Sequence, residues 1–165
     1  MSFLVANSTM FKPIKFSALV MPNNRPFITH HESPPGASAI DYDMRWLIVL
    51  ISDTGMRLAE GAGLLKEDLV GLDTGQPYVR ITKHPWRNLK TSSSERHIPL
   101  VGDALWAAKR IVEVDNRSEF AFPRYNRASA TSANSASAVL NKWLKQYVPE
   151  GCTMHSFRHS LRDRL

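Results

Sequence analysis

The stretch DYDMRWLIVLISDTG, residues 41–55, carries apolar residues on almost every side of a helical wheel, which predicts a buried helix. Asp41 or Asp43 stands where a cap is expected, and Gly55 where the helix should stop. MRLAEGAGLL predicts a second, short helix with Leu58, Ala62 and Leu65 on one side. The turn-rich run KEDLVGLDTGQP then leads to YVRIT, whose alternation and β-branched residues predict a strand. ERHIPL reads as a second strand with Ile98 and Leu100 facing one way, and the polar run HPWRNLKTSSS joins the two as a long hairpin connection. DALWAAKRIVEV is amphipathic, with Leu105, Ala108 and Val112 on one face. SEFAFPRYNRASATS reads as loop, ANSASAVLNKWLKQYV as another helix, and Thr153 or Ser156 can start a last one. The pattern is that of an α+β domain, mostly helical, with a small antiparallel sheet after the second helix.

Ahead of it, Pro13, Pro22, Pro26, Pro34 and Pro35 punctuate residues 1–40, and ESPPGAS cannot continue a helix. This region reads as a largely extended linker or arm, leaving residues 41–165 as the folded part.

With 165 residues, 43% of them hydrophobic, the chain is sized for one compact domain with a real core. A single Cys excludes an internal disulfide. No apolar run reaches the length needed to cross a bilayer, and the N-terminus lacks a secretory pattern, so a cytoplasmic protein with no membrane partner is expected. The net charge of +6 favours a polyanionic partner, nucleic acid first. Between residues 80 and 110 lie Arg80, Lys83, Arg87, Lys90, Arg96, Lys109 and Arg110, opposed only by Glu95 and Asp103. An ordinary solvated face would look the same.

Several residues stand out as candidates for chemistry. Arg57, in TGMRLAE, follows a helix break and opens a new helix, whose N-terminus favours an anion. Glu60 lies three residues on and can hold the guanidinium; the plain alternative is a surface ion pair. Lys90 lies in the connection between the two strands, beside a row of hydroxyls, where it can reach into a groove and donate a proton or simply be solvated. Trp86, nearby, can stack on a base or pack the hairpin.

Near the end, GCTMHSFRHSLRDRL admits two readings. His155 and Arg158 share a helix face, with Arg162 a turn further on, and an imidazole beside a guanidinium can bond a phosphate and pass a proton at neutral pH. Alternatively Cys152, His155 and His159 can bind a metal. The spacing of the two His suits that, but Ser156 stands where a metalloprotease helix has Glu, and no second Cys completes a structural zinc site. His159 can equally turn inward as a core residue. No metal and no cofactor is expected. The chain has no Gly-rich phosphate loop and no serine-hydrolase elbow, and Tyr42, Tyr78, Tyr125 and Tyr147 show no activating context.

In this order the pieces resemble the tyrosine recombinase family, or phage integrases, from about Asp41 to the last residue. TGMRLAEGAGL is similar to the family's first arginine box, LKTSSSERHIPL to the hairpin that brings in the catalytic Lys, and TMHSFRHS to the His-x-x-Arg box. His159 and Ser160 also match residues common after that Arg.

The resemblance implies a recombinase-like catalytic domain with Arg57, Lys90, His155 and Arg158 as catalytic residues and Glu60 in support. It implies site-specific recombination of phage or mobile-element DNA through a 3′-phosphotyrosyl intermediate, with double-stranded DNA and other protomers as partners and no metal or ATP. The family's nucleophilic Tyr follows the His-x-x-Arg box by several tens of residues, whereas this sequence stops at Leu165. The expectation is therefore a partial catalytic domain, inactive in cleavage by itself, with apolar surface exposed near residues 155–165. The alternative is a non-catalytic DNA-binding module derived from a recombinase.

Overall fold

A computed structural model describes residues 39–91, 94–127, 130–145 and 150–162. Residues 1–38, most of the expected arm, lie outside the described residues, as do Tyr147 and the side chains of Tyr42, Ser160 and Arg162.

The apolar run forms helix α1, Ala39–Thr54, in which Trp46 to Ile51 are all buried. The helix starts earlier than predicted, so Asp41 and Asp43 lie within its span and not at the position before it. Burial pushes the Asp43 carboxyl above its usual range, against an opposing pull from Arg124. Gly55 ends α1 with φ +62°, a left-handed conformation open to glycine. Helix α2, Leu58–Ala62, is shorter than expected, and Leu65 leaves it to bridge with Phe120.

The run read as turn-rich contributes strand β1, Leu69–Val70, which pairs antiparallel with β2, Tyr78–Ile81. β2 pairs in turn with β3, Arg96–Pro99, in the register Val79 opposite Ile98 and Ile81 opposite Arg96. The predicted two-stranded hairpin is thus part of a three-stranded antiparallel sheet. A two-residue strand carries too little periodicity to be seen in sequence.

Helix α3, Gly102–Glu113, buries Ala104, Ala107, Ala108 and Ile111, a face rotated from the one predicted. Val112 is exposed and Leu105 only partly buried, because the small Ala face lets α3 lie close against α1. The expected loop after α3 buries Phe120, Ala121, Phe122 and Tyr125, and it contains a ribbon of β4, Asn126–Arg127, with β5, Ala130–Thr131. Helices α4, Ala133–Leu144, and α5, Met154–Arg162, complete the α+β fold. α1 is the hub, packed by α3 and α5. No helix among the described residues is long and apolar enough to cross a membrane.

The apolar surface expected near residues 155–165 is absent from the described part of α5: Met154 and Phe157 are buried, and Leu161 packs towards Gly55. The exposed large apolar side chains among the described residues are Val101, Val112 and Val114.

Candidate functional site

Helix α5 is seated on the turn that ends α1. The Arg158 guanidinium donates through Nη1 to the Gly55 carbonyl. A Cβ added at Gly55 would lie 2.7 Å from Leu161 Cδ2, so the positive φ and the close approach both call for glycine. At its start, α5 is fixed by reciprocal bonds between Thr153 and Ser156: the Thr153 N–H donates to Ser156 Oγ at 3.1 Å, and the Ser156 N–H to the Thr153 carbonyl at 2.9 Å. The Met154 N–H donates to Asn141 Oδ1 of α4 at 2.9 Å. Helix α5 is therefore tied to both α1 and α4.

Two residues beyond Gly55 stands Arg57. The Glu60 carboxylate accepts from the Arg57 backbone N–H at 2.7 Å and from its guanidinium Nη1 at 2.7 Å. The α2 N-terminus thus spends its first N–H on Glu60 rather than leaving it open to a ligand. Arg96, on β3, reaches the same carboxylate at 2.8 Å and 3.3 Å, so two guanidiniums share one buried acid. Burial pushes Glu60 upwards, but bonds from Arg96, the Arg57 N–H and the Arg57 guanidinium outweigh it and hold the carboxyl below its usual range.

A folded pKa held below the unfolded value, about 4.3, gives stability that is complete above that value. It is lost as pH falls through the lower folded pKa. Glu60→Gln is therefore expected to flatten the pH dependence of urea stability below about pH 4.3. An unchanged slope there would show that Glu60 is not held by these bonds.

Arg57, His155 and Arg158 line one cavity of about 210 Å³, with Met56, Leu58, Ser137, Asn141, Thr153 and Met154. Three of the sequence-predicted residues are brought together, and Glu60 fixes one of them from behind. Lys90 does not line the cavity; it is exposed in the β2–β3 connection. That connection still reaches the site, since Ser94 Oγ lies 3.5 Å from Arg57 Nη1 and accepts from it. Two guanidiniums and an imidazole around one small cavity can grip a tetrahedral oxyanion and stabilise added charge on it.

Two sequence readings change here. His159 is exposed and meets His155 edge-on with ring centres 4.7 Å apart, so it is not a core histidine. Arg87, counted among the basic surface charges, is fully buried, and Arg96 is turned inwards onto Glu60. Trp86 packs, stacked on His84 at 4.7 Å and edge-on to Phe120 at 5.3 Å. Among the described residues no three His, Cys, Asp or Glu side chains are grouped to hold a metal ion. Sequence reasoning missed Asn141, Thr153 and Ser94 as parts of the site; only the hydroxyl row before Glu95 gave a signal for the last.

The model of the phage integrase family matches residues 27–165. No curated protein matches the chain. Among solved structures, the Tn1549 transposon integrase in complex with circular intermediate DNA aligns with 18% identity and TM-score 0.53, over 86% of this chain and 56% of that one. A variant of that integrase in complex with transposon right end DNA aligns with 21% identity and TM-score 0.52, over 78% and 48%. At these identities the likeness is one of fold. The present chain spans about half the length of the structures it matches.

Proposed function

From the premise that the chain belongs to the phage integrase family, we propose that it forms the phosphate-gripping core of a DNA recombinase catalytic domain. The observation that carries this reading is the shared cavity of Arg57, His155 and Arg158, from segments about a hundred residues apart in sequence. Site-specific recombination would proceed by attack of a Tyr hydroxyl on the scissile phosphate. That step forms the 3′-phosphotyrosyl bond and breaks the bond to the 5′-oxygen.

The residue types suit each part of this step. Arg57 and Arg158 meet the charge that gathers on the non-bridging oxygens. His155 hydrogen-bonds the phosphate and assists with the nucleophile's proton. Lys90, brought from the β2–β3 connection, gives its proton to the leaving 5′-oxygen. Glu60 fixes Arg57 in place.

The nucleophile is proposed to come from outside these residues. Tyr125 is buried, and burial raises its hydroxyl above the usual value; neither it nor Tyr78 lines the cavity. On a nicked substrate that traps the covalent intermediate, the 165-residue chain alone is expected to give no protein–DNA adduct. It should still bind duplex DNA with a binding constant whose logarithm falls linearly with log salt, as phosphate contacts require. An adduct would overturn the assignment of the nucleophile. Binding indifferent to salt would overturn the phosphate-gripping role itself.

A further inference from the structure

Arg87 has 1% of its surface exposed, the largest of the fully buried side chains among the described residues, yet it lies in a polar connection between two strands. Its Nη1 donates to the Gly63 carbonyl and to Asp68 Oδ2, each at 3.1 Å. Its Nε and Nη2 both donate to the Thr82 carbonyl, at 3.1 Å and 2.9 Å. The local backbone is folded tightly around it, with reciprocal bonds between His84 and Arg87 at 3.1 and 3.2 Å. A Cβ at Gly63 would stand 3.1 Å from Arg87 Cδ, so glycine there makes room for the guanidinium stem.

Burying an ion pair is a poor way to gain stability, because apolar residues of the same volume do as well or better. The partners indicate another use. Gly63 follows α2, the helix that carries Glu60; Thr82 follows β2; Asp68 precedes β1. Three residues beyond Arg87 is Lys90. Between them Leu89 packs against the core, and after them Thr91 Oγ1 and Ser94 Oγ bond at 2.9 Å, with Ser94 touching Arg57. Lys90 is thus exposed on a short segment pinned at both ends.

We propose that Arg87 is the positioning residue for Lys90: its guanidinium, locked on Asp68, Gly63 and Thr82, fixes where the β2–β3 connection delivers the lysine. This rests on the reading of Lys90 as proton donor to the leaving oxygen. A planar fork with donors at set angles can hold three acceptors at once, which a lysine ammonium cannot do with the same geometry.

The test uses a full-length recombinase containing this chain and two DNA substrates, one with the ordinary 5′-oxygen at the scissile bond and one with sulfur there. A thiol has a pKa of about 8.5, far below that of an alcohol, so the thiolate leaves without a proton donor. Lys90→Ala sets the reference: a large loss on the oxygen substrate and little on the sulfur one. Arg87→Lys is expected to slow cleavage of the oxygen substrate about tenfold to a hundredfold, with most of the loss restored by sulfur. A two-glycine insertion after the exposed Asn88 leaves the Arg87 bonds in place but frees Lys90 from them, and it should show the same selectivity.

Equal loss on both substrates, or no loss on either, overturns the inference. Should Arg87→Lys prove unfolded by circular dichroism, the insertion decides alone by the same criterion. If Lys90→Ala shows no selectivity for the oxygen substrate, the role of Lys90 under the proposed function fails, and the inference with it. If Lys90→Ala is selective and the other two variants are not, only the inference fails.

Discussion

Arg158→Ala in a full-length recombinase is expected to cut DNA about a hundred- to a thousandfold more slowly than wild type, the usual cost of removing one charge-stabilising donor. A guanidinium has five N–H donors, and Gly55 accepts from one nitrogen, so the group is held by the fold while the cavity shares its charge. Losing that charged hydrogen bond should cost stability about 1.5–3 kcal/mol. The two effects separate cleanly. Single-turnover cleavage should collapse, while urea unfolding shifts modestly and salt-dependent DNA binding persists, since binding draws on many phosphate contacts. Arg158→Lys keeps the charge and loses the fork, so it should fall between the two. Arg57→Ala should behave alike, because Glu60 would retain Arg96 and remain paired. A rate within threefold of wild type for Arg158→Ala would remove it from the catalytic set.

The three boxes were legible because each is a local pattern: a glycine that stops a buried helix, an alternating pair of strands, an i, i+3 pair on one helix face. Their convergence was legible only through the resemblance, since no periodicity states that Arg158 will meet Gly55 across 103 positions. Long-range polar partnerships were invisible for the same reason. Arg87 and Arg96 look like surface charge in a basic run until Asp68 and Glu60 are seen to face them. The face of α3 was misjudged because Ala residues carry a weak hydrophobic signal, although they permit the closest packing. His159 keeps to the surface beside His155 because Phe157 and Leu161 take the inward positions of α5.

Asp68→Ala is expected to destabilise the domain by about 3–5 kcal/mol, the cost of stranding a buried charge. Total stabilities are about 5–15 kcal/mol, so the variant should be close to unfolding at ordinary temperature. Asp68 is wholly buried; its Oδ2 accepts from Arg87 and from the Leu65 N–H, each at 3.1 Å. Its Oδ1 lacks a hydrogen bond among the described residues and faces Arg80 at 3.6 Å and His84 at 3.9 Å, an electrostatic environment without bonding geometry. Alanine would leave the guanidinium facing only carbonyls and the Leu65 N–H without its acceptor. In many proteins the apolar double replacement of a buried pair restores stability. Here it should not: with Arg87→Met and Asp68→Leu combined, the Thr82 carbonyl loses both of its Arg87 donors, and the Leu65 N–H still lacks its acceptor. Each such group costs about 1–3 kcal/mol. The Gly63 carbonyl would keep only the Trp86 indole N–H at 3.3 Å. Urea unfolding of wild type, both single variants and the double should therefore show the double recovering part of the loss at most. Full recovery would mean that the pair serves itself alone, and that the connection carrying Lys90 holds its shape without it.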